Sequence, residues 1–245
     1  MKPDSSPFPP FMVGRGGITI KKKIHTTNIN LFPALVRGDS PSLAPQGKQI
    51  IGIMRRKYEV AKEFAQKYCP LSAEGTKALA QVMEPMRLAK GELFVKEGDI
   101  AKYIHYVEKG MVRQFYFKNN RDLTEHISYE GNIVVCLESY LRQVPTKLMA
   151  EAIEPSVIWR ISKEDIYRLG EQSREIELLY HKMLEYSLLA SQYKADNIRF
   201  ETARDRYRIL MERHPEIIKR APLIYIASFL QMTPETLSRV RASML

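Results

Sequence analysis

An α+β fold is predicted for this chain: a jelly-roll domain, then one long helix, then a small helical domain at the C-terminus. Three observations predict it. Short runs of β-branched and aromatic residues are broken at Gly91, Gly98-Asp99, Gly110, Asn119-Asn120 and Gly131, a turn rhythm that fits a roll or sandwich and not a parallel sheet. After Ser173 the apolar period changes to that of a helix and holds toward Asn197. The closing stretch FLQMTPETLSRVRASML, residues 229–245, reads as a turn followed by a short basic helix.

Taken in order, residues 1–53 are rich in Pro, Gly and Ser, carry the run Lys21-Lys22-Lys23 and hold no sustained period. A disordered tail, a basic arm touching DNA and upstream sequence ahead of a true start at Met54 are all compatible with that composition. The stretch is assigned outside the fold. A β-roll domain with leading helices is expected over 54–161. Tyr58, Ala61, Ala65 and Tyr68 are spaced as on a helix that stops before Pro70, where the ring removes a donor. Ser72 then N-caps a second helix carrying Leu79, Val82 and Met83. Beyond the glycine-punctuated strands, MAEAIEPSVIWRIS supplies two more around Glu154-Pro155.

Residues 162–198 are expected to be helical. Ser162 with Asp165 resembles a capping box for a short helix ending near Gln172. Ile176, Leu179, Met183, Tyr186, Ala190 and Tyr193 then recur every three or four residues. Two parallel helices bury such a stripe against each other, so this is read as a homodimer seam; the alternative is a helix lying on its own roll. Residues 199–245 form the terminal helical domain.

Charge and chemistry narrow the function. The net charge is +10 and the isoelectric point about 9.5, which favours an anionic partner. The excess sits at the two ends: in residues 1–53, for example, Lys2, Arg15, Lys21, Lys22, Lys23, Arg37 and Lys48 face only Asp4 and Asp39. Two cysteines, Cys69 and Cys136, make neither a disulfide framework nor a cysteine metal site. No long apolar run or signal-like N-terminus is present, so a cytoplasmic location without membrane contact is expected. There is no Ser-His-Asp set, P-loop or dinucleotide fingerprint. A cupin-type enzyme would need a His-x-His pair where only His126 and Glu130 occur. The expectation is a protein that is not an enzyme.

Within KGELFVKEGDIAKYIHYVEKGMVRQFYF, the pattern Lys90-Gly91-Glu92, Glu97-Gly98-Asp99 and Tyr106-Val107 to Gly110-Val112 resembles the cyclic-nucleotide-binding-like roll of the Crp/Fnr family of transcription regulators. The likeness spans about residues 70–245, because IYIASFLQMTPETLSRV resembles that family's helix-turn-helix, in the expected order. The physics of the last helix agrees. Thr233 is a good N-cap, Pro234 has the φ of a first helical residue and Glu235 suits the positive end of the dipole. Leu237, Val240 and Met244 form an inward stripe, leaving Glu235, Thr236, Ser238, Arg239 and Ser243 outward.

The resemblance implies that Glu235, Ser238 and Arg239 read bases, with Thr233 and Thr236 beside them. Arginine bonds guanine O6 and N7 bidentately, glutamate accepts from cytosine N4, and hydroxyls adapt to either edge or to phosphate. Arg204, Arg206, Lys219 and Arg220 are the candidate phosphate contacts. A homodimer on a near-palindromic double-stranded operator, working with RNA polymerase, is the implied assembly. Gln231 stands where the family's turn usually has glycine, and a left-handed conformation there would cost it about 1 kcal/mol. Because the sequence ends at Leu245, an extended wing is not expected.

For the effector, the family's phosphate cassette pairs Gly-Glu with a later Arg-Ser or Arg-Thr. Here Val135-Cys136 and Thr146-Lys147 stand in those places. Without the arginine, bidentate phosphate recognition is lost, and cyclic AMP is not expected. Cys136, Glu138, Ser139, Thr146 and Lys147 are the candidate effector pocket, and Arg142 or Lys147 could hold a different anion. Two cysteines are too few for an iron–sulfur cluster. His105, His126 and His181 show no ligand spacing, so no metal site is assigned. The effector stays unnamed, and a ligand-independent dimeric DNA-binding protein with a degenerate sensor roll is the alternative.

Overall fold

The computed structural model describes residues 45–244, with side chains from Ile51. The readings made for residues 1–44 lie outside the described residues. Helix α1 (Pro45–Tyr68) begins ahead of the boundary expected after residue 53. Proline and Gly52 mark a loop by composition, but proline fits a first helical turn, where its missing N–H has no intrahelical partner to lose.

Helix α1 buries Val60, Ala61, Phe64 and Ala65 against the roll. Helix α2 (Ala73–Val82) is capped by Ser72, whose hydroxyl accepts from the Gly75 amide at 3.0 Å. The Ser72 amide and hydroxyl each donate to the Glu175 carboxylate at 2.7 Å.

The roll follows as strands β1 (Glu84–Leu88), β2 (Leu93–Val95), β3 (Tyr103–Lys109), β4 (Met111–Lys118), β5 (Arg121–Tyr129), β6 (Ile133–Val134), β7 (Met149–Ala152) and β8 (Ser156–Ser162), with helix α3 (Leu137–Arg142) between β6 and β7. Two four-stranded sheets result, ordered β1-β8-β3-β6 and β2-β7-β4-β5, with antiparallel pairing throughout. Val107, Val112, Ala150, Ile158 and Ile161 fill the space between them. The glycines expected at turns do take positive φ. Gly110 is doubly constrained: its φ is 98°, and a Cβ there would stand 2.2 Å from the Ser156 hydroxyl.

The helical half starts at α4 (Lys163–Gln172), capped by Ser162, which accepts from the Asp165 amide at 3.0 Å. Helix α5 (Arg174–Phe200) is the long one. Helices α6 (Ala203–Arg213), α7 (Pro215–Arg220), α8 (Leu223–Phe229) and α9 (Pro234–Ala242) form the terminal domain. A second core joins this domain to the roll, because Met111, Ile127 and Ile153 pack with Tyr207, Leu210, Ile217, Ile226 and Leu237.

Polar contacts reinforce the joint. The Thr124 amide donates to the Ser228 hydroxyl at 2.8 Å. Arg113, with a side chain only 2% exposed, donates to Glu151 at 2.7 Å and to both Asp122 oxygens at 2.6 Å. Its guanidinium lies 3.7 Å from the centroid of the Tyr225 ring, so the buried charge is compensated on every side.

Candidate DNA interface and effector cavity

Helices α8 and α9 cross at a tight turn. The Met232 amide donates to the Ala227 carbonyl and the Gln231 amide to that of Ser228, both at 3.0 Å. That closure holds Gln231 at φ 52°, in the left-handed region that glycine occupies most readily. Thr233 then caps α9, its hydroxyl accepting from the Thr236 amide at 3.2 Å. Leu237 is buried, and Val240 and Met244 pack beside it.

Glu235, Ser238 and Arg239 are exposed, as is Arg241 two residues further on. Thr236 is half-buried and accepts from Arg239 at 3.4 Å. The Glu235 carboxyl is held below its usual range by its own backbone amide, then by the Thr233 hydroxyl, with Arg239 adding to both. The face of α9 turned to solvent therefore offers donors, an ionised acceptor and guanidinium groups together.

Of the candidate phosphate contacts, two are committed elsewhere. Arg206 donates to the Leu230 and Glu201 carbonyls, each at 2.9 Å, and so braces the turn between helices. Arg220 bridges to Glu130 and Glu154 of the roll. Lys219 pairs with Glu216 at 2.9 Å on the surface, and Arg204 stays exposed.

A cavity of about 760 Å³ opens between β5, α5 and the terminal helices. Ile127, Ile198, Ile209, Leu210 and Phe229 supply much of its apolar wall, and Gln114, Val135 and Leu148 its end inside the roll. His126 lines it as well, with burial and then the Lys194 charge pushing its imidazole down to about 4. The ring is thus neutral at ordinary pH. Lys194 pairs with Glu125 at 3.0 Å, and burial lowers its ammonium too.

Residues 85–173 match the family model of the cyclic nucleotide-binding domain. The matched residues make up most of the β roll and run on through α4. The solved structures similar to the chain include FixK2 from Bradyrhizobium japonicum, at 20% identity over 66% of this chain and 84% of that one, TM-score 0.56. The c-di-GMP responsive global regulator CLP of Xanthomonas campestris is similar at 18% identity, covering 71% and 91%, TM-score 0.56. A transcriptional regulator assigned to the crp/fnr family from Eubacterium rectale is similar at 15%, covering 71% and 83%, TM-score 0.54. At such identities the likeness is one of fold, and the chain has the fold of Crp/Fnr family transcription regulators. Among curated proteins none matches the sequence.

The β roll does not gather the expected pocket residues in one place. Of the five, only Glu138 lines the large cavity, and it pairs with Arg142 at 2.9 Å. Cys136 is buried and faces a second cavity of about 450 Å³ beside Phe94, Tyr103 and His105, where desolvation raises its thiol. The Ser139 hydroxyl accepts from the Ala101 amide at 2.9 Å and donates to the Val144 carbonyl at 2.5 Å. The Thr146 hydroxyl is spent on Leu148 of its own loop, and Lys147 points to solvent. Small hydroxyls in a tight loop satisfy local backbone groups before they serve a ligand.

The stripe on α5 divides. Ile176, Leu179 and Met183 are fully buried in the roll's own core, against α1, α2 and α4. They therefore cannot face a second chain. Tyr186, Ala190 and Tyr193 are exposed and border the cavity. His126, Lys194, Arg206 and Arg213, which line the cavity, come from β5, α5 and α6 and share no local motif that a sequence could display. Among the described residues, no group of three or more His, Cys, Asp or Glu could hold a metal ion.

Proposed function

We propose that the protein is a homodimeric, sequence-specific DNA-binding regulator of transcription without catalytic activity, acting in the cytoplasm. The solvent face of α9, with Glu235, Ser238 and Arg239 exposed over a buried Leu237, carries this reading. Thr233 and Thr236 set the helix start, and Arg204 and Arg241 are the free guanidinium groups for phosphate. Two copies of α9 in successive major grooves, about 34 Å apart, call for a near-palindromic operator. RNA polymerase is the further partner proposed for this role.

The dimer seam is shifted from the register expected from the sequence. Tyr186, Leu189, Tyr193 and Phe200 are 40%, 67%, 36% and 76% exposed, and their spacing of three, four and seven residues is that of a heptad. An open apolar stripe of that length on one helix is what a partner helix covers.

An effector is read into the large cavity rather than the cassette loop, and cyclic AMP is not the expected one, since the cassette arginine is replaced and neither Thr146 nor Lys147 lines the cavity. The same loss favours, as a second reading, a degenerate sensor. DNA affinity that ignores added cell extract would support that alternative.

The deciding experiment is selection of genomic fragments by the purified chain at a stated salt concentration, followed by sequencing. A palindrome should emerge. Arg239→Ala should then cost about 1 to 3 kcal/mol on that operator and little on random DNA. Equal losses on both would reduce Arg239 to a phosphate contact.

A further inference from the structure

The wall of the large cavity is unevenly charged. Lys194 is matched by Glu125 at 3.0 Å. Glu138 is matched by Arg142. Arg206 is held by two backbone carbonyls, which do not cancel its charge. Arg213 has no carboxylate partner among the described residues; its guanidinium lies 4.5 Å from the centroid of the Tyr193 ring at the rim. The neighbouring His214 imidazole is lowered by burial first, then by Arg213 and Lys67. Positive potential therefore collects where the apolar chamber meets the terminal helices.

We infer that the cavity takes an organic anion with an apolar body: the body lies among Ile127, Ile198, Ile209, Leu210 and Phe229, and its acid group meets Arg213 at the rim. An apolar chamber of about 760 Å³ suits a small molecule of two fused rings or a medium acyl chain. A guanidinium already stacked on Tyr193 is oriented before the ligand arrives, so its planar fork loses little freedom on engaging a carboxylate. Neutral His126 adds a polar contact without repelling the apolar body.

The site is also placed to act. Its walls come from the roll (Ile127), the long helix (Ile198) and the terminal domain (Ile209, Leu210, Phe229). A ligand touching all three has different affinity for any two arrangements of them, which is the condition for shifting DNA affinity. This rests on the regulator reading, and the two fail separately: ligand binding is measured without DNA, and operator selection without ligand.

The test uses the full chain and anilinonaphthalene sulfonate, an apolar anion that fluoresces when shielded from water. Naphthoate and its neutral counterpart naphthylmethanol compete with it. Naphthoate should displace the probe about tenfold better than the alcohol, the effect of one charge-assisted contact. Arg213→Gln should erase that preference, and Arg168→Gln, an exposed arginine on α4, should keep it. Ile198→Trp should abolish probe binding by filling the chamber; if it fails to fold by circular dichroism, Ala190→Phe fills the mouth instead. Equal competition by acid and alcohol, a preference that survives Arg213→Gln, or probe binding that survives a filled chamber would each overturn the assignment.

Discussion

Gln231 shows how one residue carries the terminal motif. Its φ of 52° is held by two hydrogen bonds, from the Met232 amide to the Ala227 carbonyl and from its own amide to the Ser228 carbonyl. A side chain in that conformation costs about 1 kcal/mol because Cβ crowds the following carbonyl. Gln231→Gly should therefore raise the urea midpoint of unfolding by an amount equivalent to about 1 kcal/mol. Gln231→Val should lower it further than the present residue does, since branching at Cβ worsens the clash. An unchanged midpoint with glycine would mean that the long glutamine side chain makes compensating contacts. The sequence pointed to this position only through the resemblance, since glycine is usual there and glutamine by itself does not mark a left-handed residue. The roles of Arg206 and Arg220 were not legible, since nothing local distinguishes an arginine that braces a turn or a joint from one that meets phosphate.

At the scale of elements, α5 is two helices in one. Its first half is core, with Ile176, Leu179 and Met183 inaccessible, and its second half carries Leu188 and Leu189 at 64% and 67% exposure. Met183→Ala should destabilise the chain by about 2 to 5 kcal/mol through the cavity it leaves. Leu189→Glu should leave stability within about 0.5 kcal/mol of the parent yet yield a monomer by light scattering at micromolar concentration. A monomer from Met183→Ala and a dimer from Leu189→Glu would return the seam to the register read from the sequence. Helical periodicity shows that α5 is helical, and capping residues such as Ser72, Ser162 and Thr233 mark the starts of their helices. What periodicity cannot tell is which body covers an apolar stripe. That depends on neighbouring α4 and on α1 and α2, which reach it from about a hundred positions away, as Ser72 reaches Glu175. The large cavity escaped for the same reason: its walls come from three parts of the chain that meet only in the fold.

For the whole molecule, the question is how firmly the terminal domain is held to the roll. Arg220 on α7 donates to both Glu130 oxygens, at 2.8 and 3.0 Å, and to Glu154, while the Glu130 carboxylate also accepts from the Gly110 amide at 2.8 Å. The guanidinium separates two acids of the roll, so removing it both loses the bridge and leaves Glu130 facing Glu154. Burial opposes ionisation of Glu130, yet Arg220 and the Gly110 amide outweigh it and its carboxyl sits below the usual range. A carboxyl lowered in the folded state stabilises fully above its unfolded value and loses that contribution as pH falls through the folded value. The joint should therefore weaken under acid, below the ordinary carboxylate range. Trp159, the chain's one tryptophan, lies on β8 and reports the roll alone, whereas circular dichroism also follows α6 to α9. At neutral pH the two thermal transitions should coincide. In Arg220→Met the circular dichroism transition should come first, as the terminal helices melt ahead of the roll. The triple substitution Arg220→Met, Glu130→Gln, Glu154→Gln should bring the transitions closer together again by removing the repulsion. Coincident transitions in Arg220→Met would place the coupling instead in the apolar contacts of Met111, Ile127 and Ile153 and in the Arg113 stack on Tyr225.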